Sequence, residues 1–247
     1  MPEFSSSVLA RFFLDGPLAA GADVDLPERV ARHVAVLRMQ TGDALTLFNG
    51  SGGEYECMLT RVAKDSVRAR VLAWRDLERE SGLAITLAQG LSGGDRMDYA
   101  MQKATELGVR VIRPIASERS VVRLSDERAD RRLAHWRSVV TAACEQCRRN
   151  RPPEVRPVAT LGAFLSEAGA GSQQLLLTPS GTVRLRDLAP AASVIVLIGP
   201  EGGLSDDEER LVLRAGFTAV RVGPRVLRTE TAPLAAIGAL QAMWGDA

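Results

Sequence analysis

Two stretches, VIVLIGPEGG (194–203) and VRVGPRVLRTETAP (220–233), decide how this chain is read. Each is a β-branched apolar run ending in Gly-Pro, the pattern of a buried parallel strand that enters a tight turn with exposed backbone. In open α/β sheets, ligands sit outside the carboxyl ends of such strands. Gly199, Gly202 and Gly203 permit unusual dihedrals and close approach, which a site needs when main-chain groups hold a planar base or a ribose.

A helix start follows the first loop. Ser205 is placed to cap it, Glu208 completes a capping box, and Asp206, Asp207 and Glu209 complement the positive helix end. That acidic turn repels a phosphate, the group a helix N-terminus otherwise attracts. Neither loop carries G-x-G-x-x-G, and the chain contains no G-x-x-x-x-G-K-[ST]. The chemistry favours a phosphate-free adenosine ligand over ATP or NAD; ordinary strand-to-helix turns are the bland alternative.

Working outward, apolar runs at 83–88, 109–115, 174–178, 194–198 and 218–222 alternate with helical stretches at 95–107, 126–149, 205–215 and 231–243. This is the βα rhythm of a parallel sheet. Gly108 and Gly216 are placed as the left-handed residues that end two of the helices. Residues 11–73 read instead as strands at 44–48, 54–62 and 66–73, the first two joined by the Asn-Gly-Ser-Gly-Gly turn at 49–53. One helix interrupts them at 27–38, with Val30, Val34 and Leu37 on one face and Pro27 in its first turn. These strands suggest a small barrel, and the charged WRDLERESG (74–82) reads as a linker, placing a boundary near residue 80.

Composition narrows the function classes. The 247 residues, 46% hydrophobic, are enough for one large core or two smaller ones. No apolar run approaches the roughly 20 residues of a membrane span, and the first residues lack a signal-peptide layout, so a cytoplasmic protein without membrane partners is expected. Three cysteines, Cys57, Cys144 and Cys147, fit a reducing compartment, and Cys144-x-x-Cys147 has no second pair to complete a metal site. The net charge of +1 conceals an uneven distribution: −2 over 1–80, +5 over 81–160 and −2 over 161–247. The basic middle holds Arg110, Arg113, Arg119, Arg123, Arg148, Arg149, Arg151 and Arg156, a residue type suited to RNA phosphates and bases. A solvated arginine-biased surface is the competing reading.

The stretches LIGPEGGLSDDE (197–208), AGF (215–217), RVGPRVLRTETAPLAAIGALQ (221–241) and WGD (244–246) resemble the SPOUT methyltransferases, specifically the family that methylates N3 of a uridine in 16S ribosomal RNA. The likeness extends to GDRMDYAMQKATELGV (94–109), SERSVV (117–122), CEQCRRNRPPEVRP (144–157), RFFL (11–14), HVAVLRMQTGD (33–43) and NGSGGEY (49–55). It departs at Gly93, where a lysine often sits, and at Arg32, where a second histidine often precedes His33. The resemblance implies an α/β fold: a C-terminal SPOUT domain at 81–247 with a parallel sheet and a trefoil knot, preceded by a PUA-like RNA-binding barrel at 11–80 and a flexible extension at 1–10. Knots are rare exceptions to the rules of chain connection, so periodicity alone points to an ordinary doubly wound sheet. The likeness further implies S-adenosyl-L-methionine as cofactor, 16S ribosomal RNA of the small subunit as partner, and a homodimer with the active site at its interface.

Carried onto this sequence, the resemblance assigns Leu177, Gly199, Gly202, Val222, Gly223, Leu227, Thr229 and Thr231 to cofactor loops. Arg11, His33, Arg38, Arg119, Gln146 and Arg149 become candidates for holding RNA or completing the partner subunit's site, with interface salt bridges as the alternative. Uracil N3 carries a proton that must be removed, and an arginine beside O2 or O4 would stabilise the resulting anion. Arg228 takes that role, and Glu230 or Glu201 accepts the proton if its surroundings raise its pKa, or else braces the loop. Neither of the two histidines, His33 and His135, lies in the cofactor loops, so a histidine base is not expected. Two other readings stay open: a knotted methyltransferase acting on transfer RNA or a ribose 2′-OH, and a non-catalytic RNA-binding assembly factor.

Overall fold

The computed structural model describes residues 9–120, 126–168 and 171–247. Most of the extension expected at 1–10 lies outside the described residues, as do Val121, Val122 and Arg123. The chain forms two compact units, one comprising Met1–Arg79 with Cys144–Arg151, the other Glu80–Ala143 with Pro152–Ala247. The short return segment Cys144–Arg151 thus groups with the N-terminal strands.

The first unit contains β1 (Arg11–Phe13), β2 (Asp23–Asp25), helix α1 (Glu28–Val36), β3 (Ala44–Phe48), β4 (Glu54–Val62) and β5 (Val67–Arg75). They form a sheet in the order β1-β3-β4-β5-β2, antiparallel except for β1 beside β3. Alternation in β5 turns Val67, Ala69 and Val71 inward and Arg68 and Arg70 outward. The inward set packs with Phe12, Leu45, Leu47, Leu59, Val30 and Val34. Register shifts at Glu56/Cys57 and Leu59/Arg61 mark bulges, which bend a strand and sharpen its twist. Two details of α1 differ from the periodicity. Pro27 is the N-cap, and Leu37 is the C-cap, half exposed instead of joining the Val30–Val34 face. The helix stops two residues short of the expected 38, and Arg38 adopts φ 55 just beyond its C-cap.

The second unit is built on β6 (Ala84–Gly90), β7 (Val111–Ala116), β8 (Glu154–Val155), β9 (Ala159–Thr160), β10 (Gln173–Leu177), β11 (Val183–Arg184), β12 (Ser193–Ile198) and β13 (Thr218–Arg221). The strands run in the order β11-β13-β10-β12-β6-β7-β8, with β9 also on β7, and all pairings are parallel. Helices α2 (Gly94–Glu106), α3 (Asp126–Cys147), α4 (Leu161–Glu167), α5 (Asp206–Arg214) and α6 (Thr231–Trp244) connect or cover them. One apolar cluster joins Ile85, Leu87, Val194 and Val196 to Met97, Met101, Trp136, Ile237 and Leu240. A second joins Ala88, Ile195, Leu197 and Leu176 to Phe164, Val212 and Phe217. Successive residues of β6 and β12 therefore bury on opposite faces, which is why both strands read as unbroken apolar runs.

Gly108 follows α2 with φ 83, and a Cβ there would lie 2.7 Å from Gln241 Nε2. That side chain is committed: Gln241 Nε2 donates to Leu107 O at 2.9 Å, and its Oε1 accepts from Ser81 Oγ at 2.7 Å. Ser205 and Glu208 form the reciprocal capping box of α5, with bonds of 3.2 and 2.9 Å. Leu87 is fully buried at the centre of the sheet. Leu87→Ala should cost about 2–5 kcal/mol, from lost transfer energy and a residual cavity, measured as a shift in chemical denaturation of the second unit.

Candidate active site

Strand β10 pairs with β12 on one side and β13 on the other, and the registers match Leu177 with Ile198 and with Val220. Three parallel strands thus end level, and their loops emerge side by side. These loops enclose a cavity of about 520 Å³. Leu177 and Thr178 border it from β10, Gly199 and Glu201 from the β12 loop, and Val222 and Arg228 from the β13 loop. Gly202, Gly223, Leu227, Thr229 and Glu230 also line it. Thr231 does not: it is exposed at the start of α6, its amide bonded to Arg228 O at 2.9 Å.

Glycines set the shape of the floor and rim. A Cβ on Gly90, the last residue of β6, would lie 2.4 Å from Pro200 N, so the GPEGG loop rests directly on that strand end. Gly203 takes φ 67, where L side chains are strained. A Cβ on Gly202 would lie 3.2 Å from Arg119 Cβ, and Arg119 Nη1 donates to Gly202 O and Leu204 O at 3.2 and 3.0 Å. Arg119 therefore holds the loop from outside.

The two loops are also bridged by polar groups that periodicity did not single out. Gln89, buried at the end of β6, donates through Nε2 to Thr229 Oγ1 at 3.1 Å, and Thr229 Oγ1 donates to Gly199 O at 2.9 Å. Arg96, on the first turn of α2, donates to Glu201 Oε1 at 3.0 Å and places its Nε 3.9 Å from Glu230 Oε2. Glu201 Oε1 also accepts from Gly93 N at 2.9 Å. Thr178 Oγ1 donates to Glu209 Oε1 at 3.0 Å, tying the β10 end to α5. The signal for Gln89 was present in the sequence as a lone amide closing an apolar strand run.

Hydrogen bonding separates the two glutamates. Burial pushes the Glu201 carboxyl up, but the Gly93 amide and Arg96 together hold it below the usual glutamate range. This direction is opposite to the raised pKa that a proton acceptor was expected to need, and the contacts of Glu201 tie the loop to Gly93 and Arg96. Glu230 Oε2 is buried without a hydrogen-bond partner among the described residues.

The arginines grouped by charge counting are largely engaged within their own units. Arg113 pairs with Glu167, Arg156 with Glu154 and Arg151 with Glu78, while Arg110 donates to Ser81 O. Arg11 is buried in an ion pair with Glu54 and donates to Asn150 Oδ1 at 2.7 Å, and Arg149 is only 4% exposed. Both side chains are thus placed inside the strand-rich unit. His33, Arg38 and Gln146 are exposed, the His33 ring meeting Phe12 edge-on at 5.4 Å. His135 lies on α3, paired with Asp98 at 2.7 Å and away from the cavity. No group of three or more metal-binding side chains occurs among the described residues.

Residues 79–241 match the model of an RNA methyltransferase domain, and residues 26–72 that of an RNA methyltransferase PUA domain. The ribosomal RNA small subunit methyltransferase E of Bacillus subtilis is 35% identical over 224 residues, covering 86% of this chain and 87% of its own. Its namesake from Mycobacterium bovis is 34% identical, covering 93% and 90%. Among solved structures, a ribosomal RNA small subunit methyltransferase E from Neisseria gonorrhoeae bound to S-adenosyl methionine has a TM-score of 0.91 at 42% identity, covering 96% and 99%. A Legionella pneumophila protein in complex with the cofactor SAM gives 0.93 at 40% identity, covering 97% and 99%.

Because its folded pKa is depressed, Glu201 contributes stability that is present above its unfolded pKa and lost as pH falls through the folded value. A carboxyl-detected NMR titration should place its midpoint below that of an unstructured glutamate, and Arg96→Ala should move it upward.

Proposed function

The chain belongs to the ribosomal RNA small subunit methyltransferase E family and is an S-adenosylmethionine-dependent ribosomal RNA methyltransferase, and from that premise we propose that it methylates N3 of a uridine in the 16S RNA of the small subunit. The observation that carries this reading is the cavity at three level strand ends. Its volume of about 520 Å³ falls within the range of small-molecule sites. Its lining suits a nucleoside: Leu177, Val222 and Leu227 offer apolar contact for a base, and the glycine loops offer backbone groups, beside charged side chains of both signs, Glu201, Glu209 and Glu230 with Arg96, Arg221, Arg225 and Arg228. Glu230 Oε2, buried, 3.9 Å from Arg96 Nε and without a hydrogen-bond partner among the described residues, leaves one acceptor for a donor brought by a ligand.

When bound, the cofactor supplies an electrophilic methyl group on a positive sulfonium. The protein's part is chiefly to position the acceptor nitrogen in line, about 3 Å away. We assign Arg228 to face O2 or O4 of the uracil and stabilise the anion left as N3 loses its proton. Glu230 accepts that proton, while Glu201 braces the loop through Gly93 and Arg96. Leu177, Gly199, Gly202, Val222, Gly223, Leu227 and Thr229 hold the cofactor. The base must leave its helix to reach such a cavity, so the nucleotide turns outward.

The strand-rich unit serves as the RNA-binding module, with exposed His33, Arg38 and Gln146 as contacts. Helix α6 buries Ala236, Ile237 and Leu240, yet leaves Leu234, Ala235 and Gly238 partly exposed and Ala242 and Met243 exposed. A helix apolar on both faces supports a second copy of the chain as partner. Threading of the C-terminal part into a trefoil knot is supported by the place of β13, which enters between β10 and β11 after both have been laid down. No described helix is long and apolar enough to cross a membrane, and the ribosomal substrate supports a cytoplasmic location.

Small subunits lacking the modification, incubated with methyl-labelled S-adenosylmethionine and then digested to nucleosides, should yield labelled 3-methyluridine. Label in another nucleoside would overturn the assigned position. Arg228→Ala should lower the methyl-transfer rate by about 10²–10³-fold, as for loss of a charge-stabilising donor. Gly202→Val should abolish cofactor binding in calorimetry while the circular dichroism of the fold is retained, because a Cβ already crowds Arg119.

A further inference from the structure

Gln89 is the last side chain before β6 ends at Gly90, only 1% exposed and outside the lining of the cavity. Its Nε2 donates to Thr229 Oγ1 at 3.1 Å and to Gly90 O at 3.3 Å. Its Oε1 is buried without a hydrogen-bond partner among the described residues. Burying a polar amide with half its capacity unused is costly. Leucine would fill the same space without that cost, so what offsets the cost of the amide is its other half.

The direction of the hydrogen bonds shows what that is. The Thr229 hydroxyl has a single proton, and the Gly199 carbonyl at 2.9 Å can only accept it. Toward Gln89 the hydroxyl must therefore accept, and residue 89 must donate. A carboxylate of the same shape could not do so. Thr229 belongs to the LRTET loop, beside Arg228 and Glu230, and Gly199 opens the GPEGG loop. The relay Gln89 Nε2–H to Thr229 Oγ1–H to Gly199 O therefore joins the two loops through a buried donor on a third element.

We propose that Gln89 is a positioning residue for methyl transfer: its amide proton orients the Thr229 hydroxyl and, through it, locks the GPEGG and LRTET loops into one register. The proposal rests on reading these loops as the cofactor site. Gly90 makes the arrangement possible, since its missing Cβ lets Pro200 settle on the strand end within reach of the relay.

The test uses the full chain in three forms, wild type, Gln89→Leu and Gln89→Glu, with two readouts. Amide hydrogen exchange of 199–204 and 227–231 is followed without cofactor and corrected for intrinsic rates; S-adenosylmethionine affinity is measured by calorimetry. In Gln89→Leu, exchange in both loops should accelerate, while β12 stays protected, and affinity should fall about tenfold. In Gln89→Glu, both effects should appear near pH 8.5 and recede toward wild type near pH 5.5. Burial raises a carboxyl pKa, and the neutral acid regains a donor; wild type should be flat over roughly that range.

Wild-type loop exchange in Gln89→Leu, or a Gln89→Glu response without pH dependence, would overturn the relay. Should Gln89→Leu fail to fold, Thr229→Ser and Thr229→Val keep the question open to test: serine should preserve slow exchange at Gly199 and valine should lose it, and equal behaviour would again overturn the relay. Loops that respond as expected in a wild-type protein that binds no S-adenosylmethionine would sustain the relay and refute the cofactor reading instead.

Discussion

The site depends on one constraint, the parallel hydrogen-bond ladder that fixes β10 between β12 and β13. Because Leu177 stands opposite both Ile198 and Val220, three chain reversals that are distant in sequence occur at one height. A slip of one residue in either pairing would turn every side chain of that strand to the other face, moving Leu197 or Val220 between two filled cores. The apolar packing on both faces of the sheet therefore holds the loops in register, and Leu176 and Ile198 belong to that packing and to the lining of the cavity at once.

Polar groups then refine what packing permits. Two bridges cross between the loops, one buried through Gln89 and Thr229 and one nearer the surface through Arg96, Glu201 and Glu230. The first is directional, since a single hydroxyl proton has one acceptor to serve; the second is ionic and weaker where exposed to solvent. Arg119 adds a third restraint from outside through two loop carbonyls. A loop rich in glycine would otherwise lose its shape to conformational entropy. In the strand-rich unit Arg11, Glu54 and Asn150 likewise bond to one another, and the pairs Arg113–Glu167, Arg156–Glu154 and Arg151–Glu78 explain why counting arginines overstates the surface available to RNA.

Long elements were legible in the sequence because their periodicity is long. The runs at 83–88, 109–115, 174–178, 194–198 and 218–222 correspond to β6, β7, β10, β12 and β13, and the capping box at Ser205 and Glu208 marked the start of α5. The two-residue strands β8, β9 and β11 and the short helix α4 were not legible, because two residues carry no period and their existence depends on a neighbour to pair with. Leu37 misled for a related reason: helical spacing placed it on the Val30–Val34 face, but the helix had already ended. Arg11 and Arg149 were offered through the resemblance as candidates for holding RNA or completing the partner subunit's site, and a motif match says nothing of burial.

By itself, the sequence determined the α/β rhythm, the two Gly-Pro loops and the absence of a phosphate-binding pattern, since each depends on the chemistry of a few adjacent residues. Resemblance, also legible there, supplied the reaction class. Only the tertiary structure decided that β10, β12 and β13 end at one height, that Glu201 accepts from Gly93 and Arg96, and that Gln89 reaches Thr229. Those facts depend on which strands become neighbours and at what register. That outcome is set by the burial of two apolar faces at once, a property of the whole sheet and of no single stretch of chain.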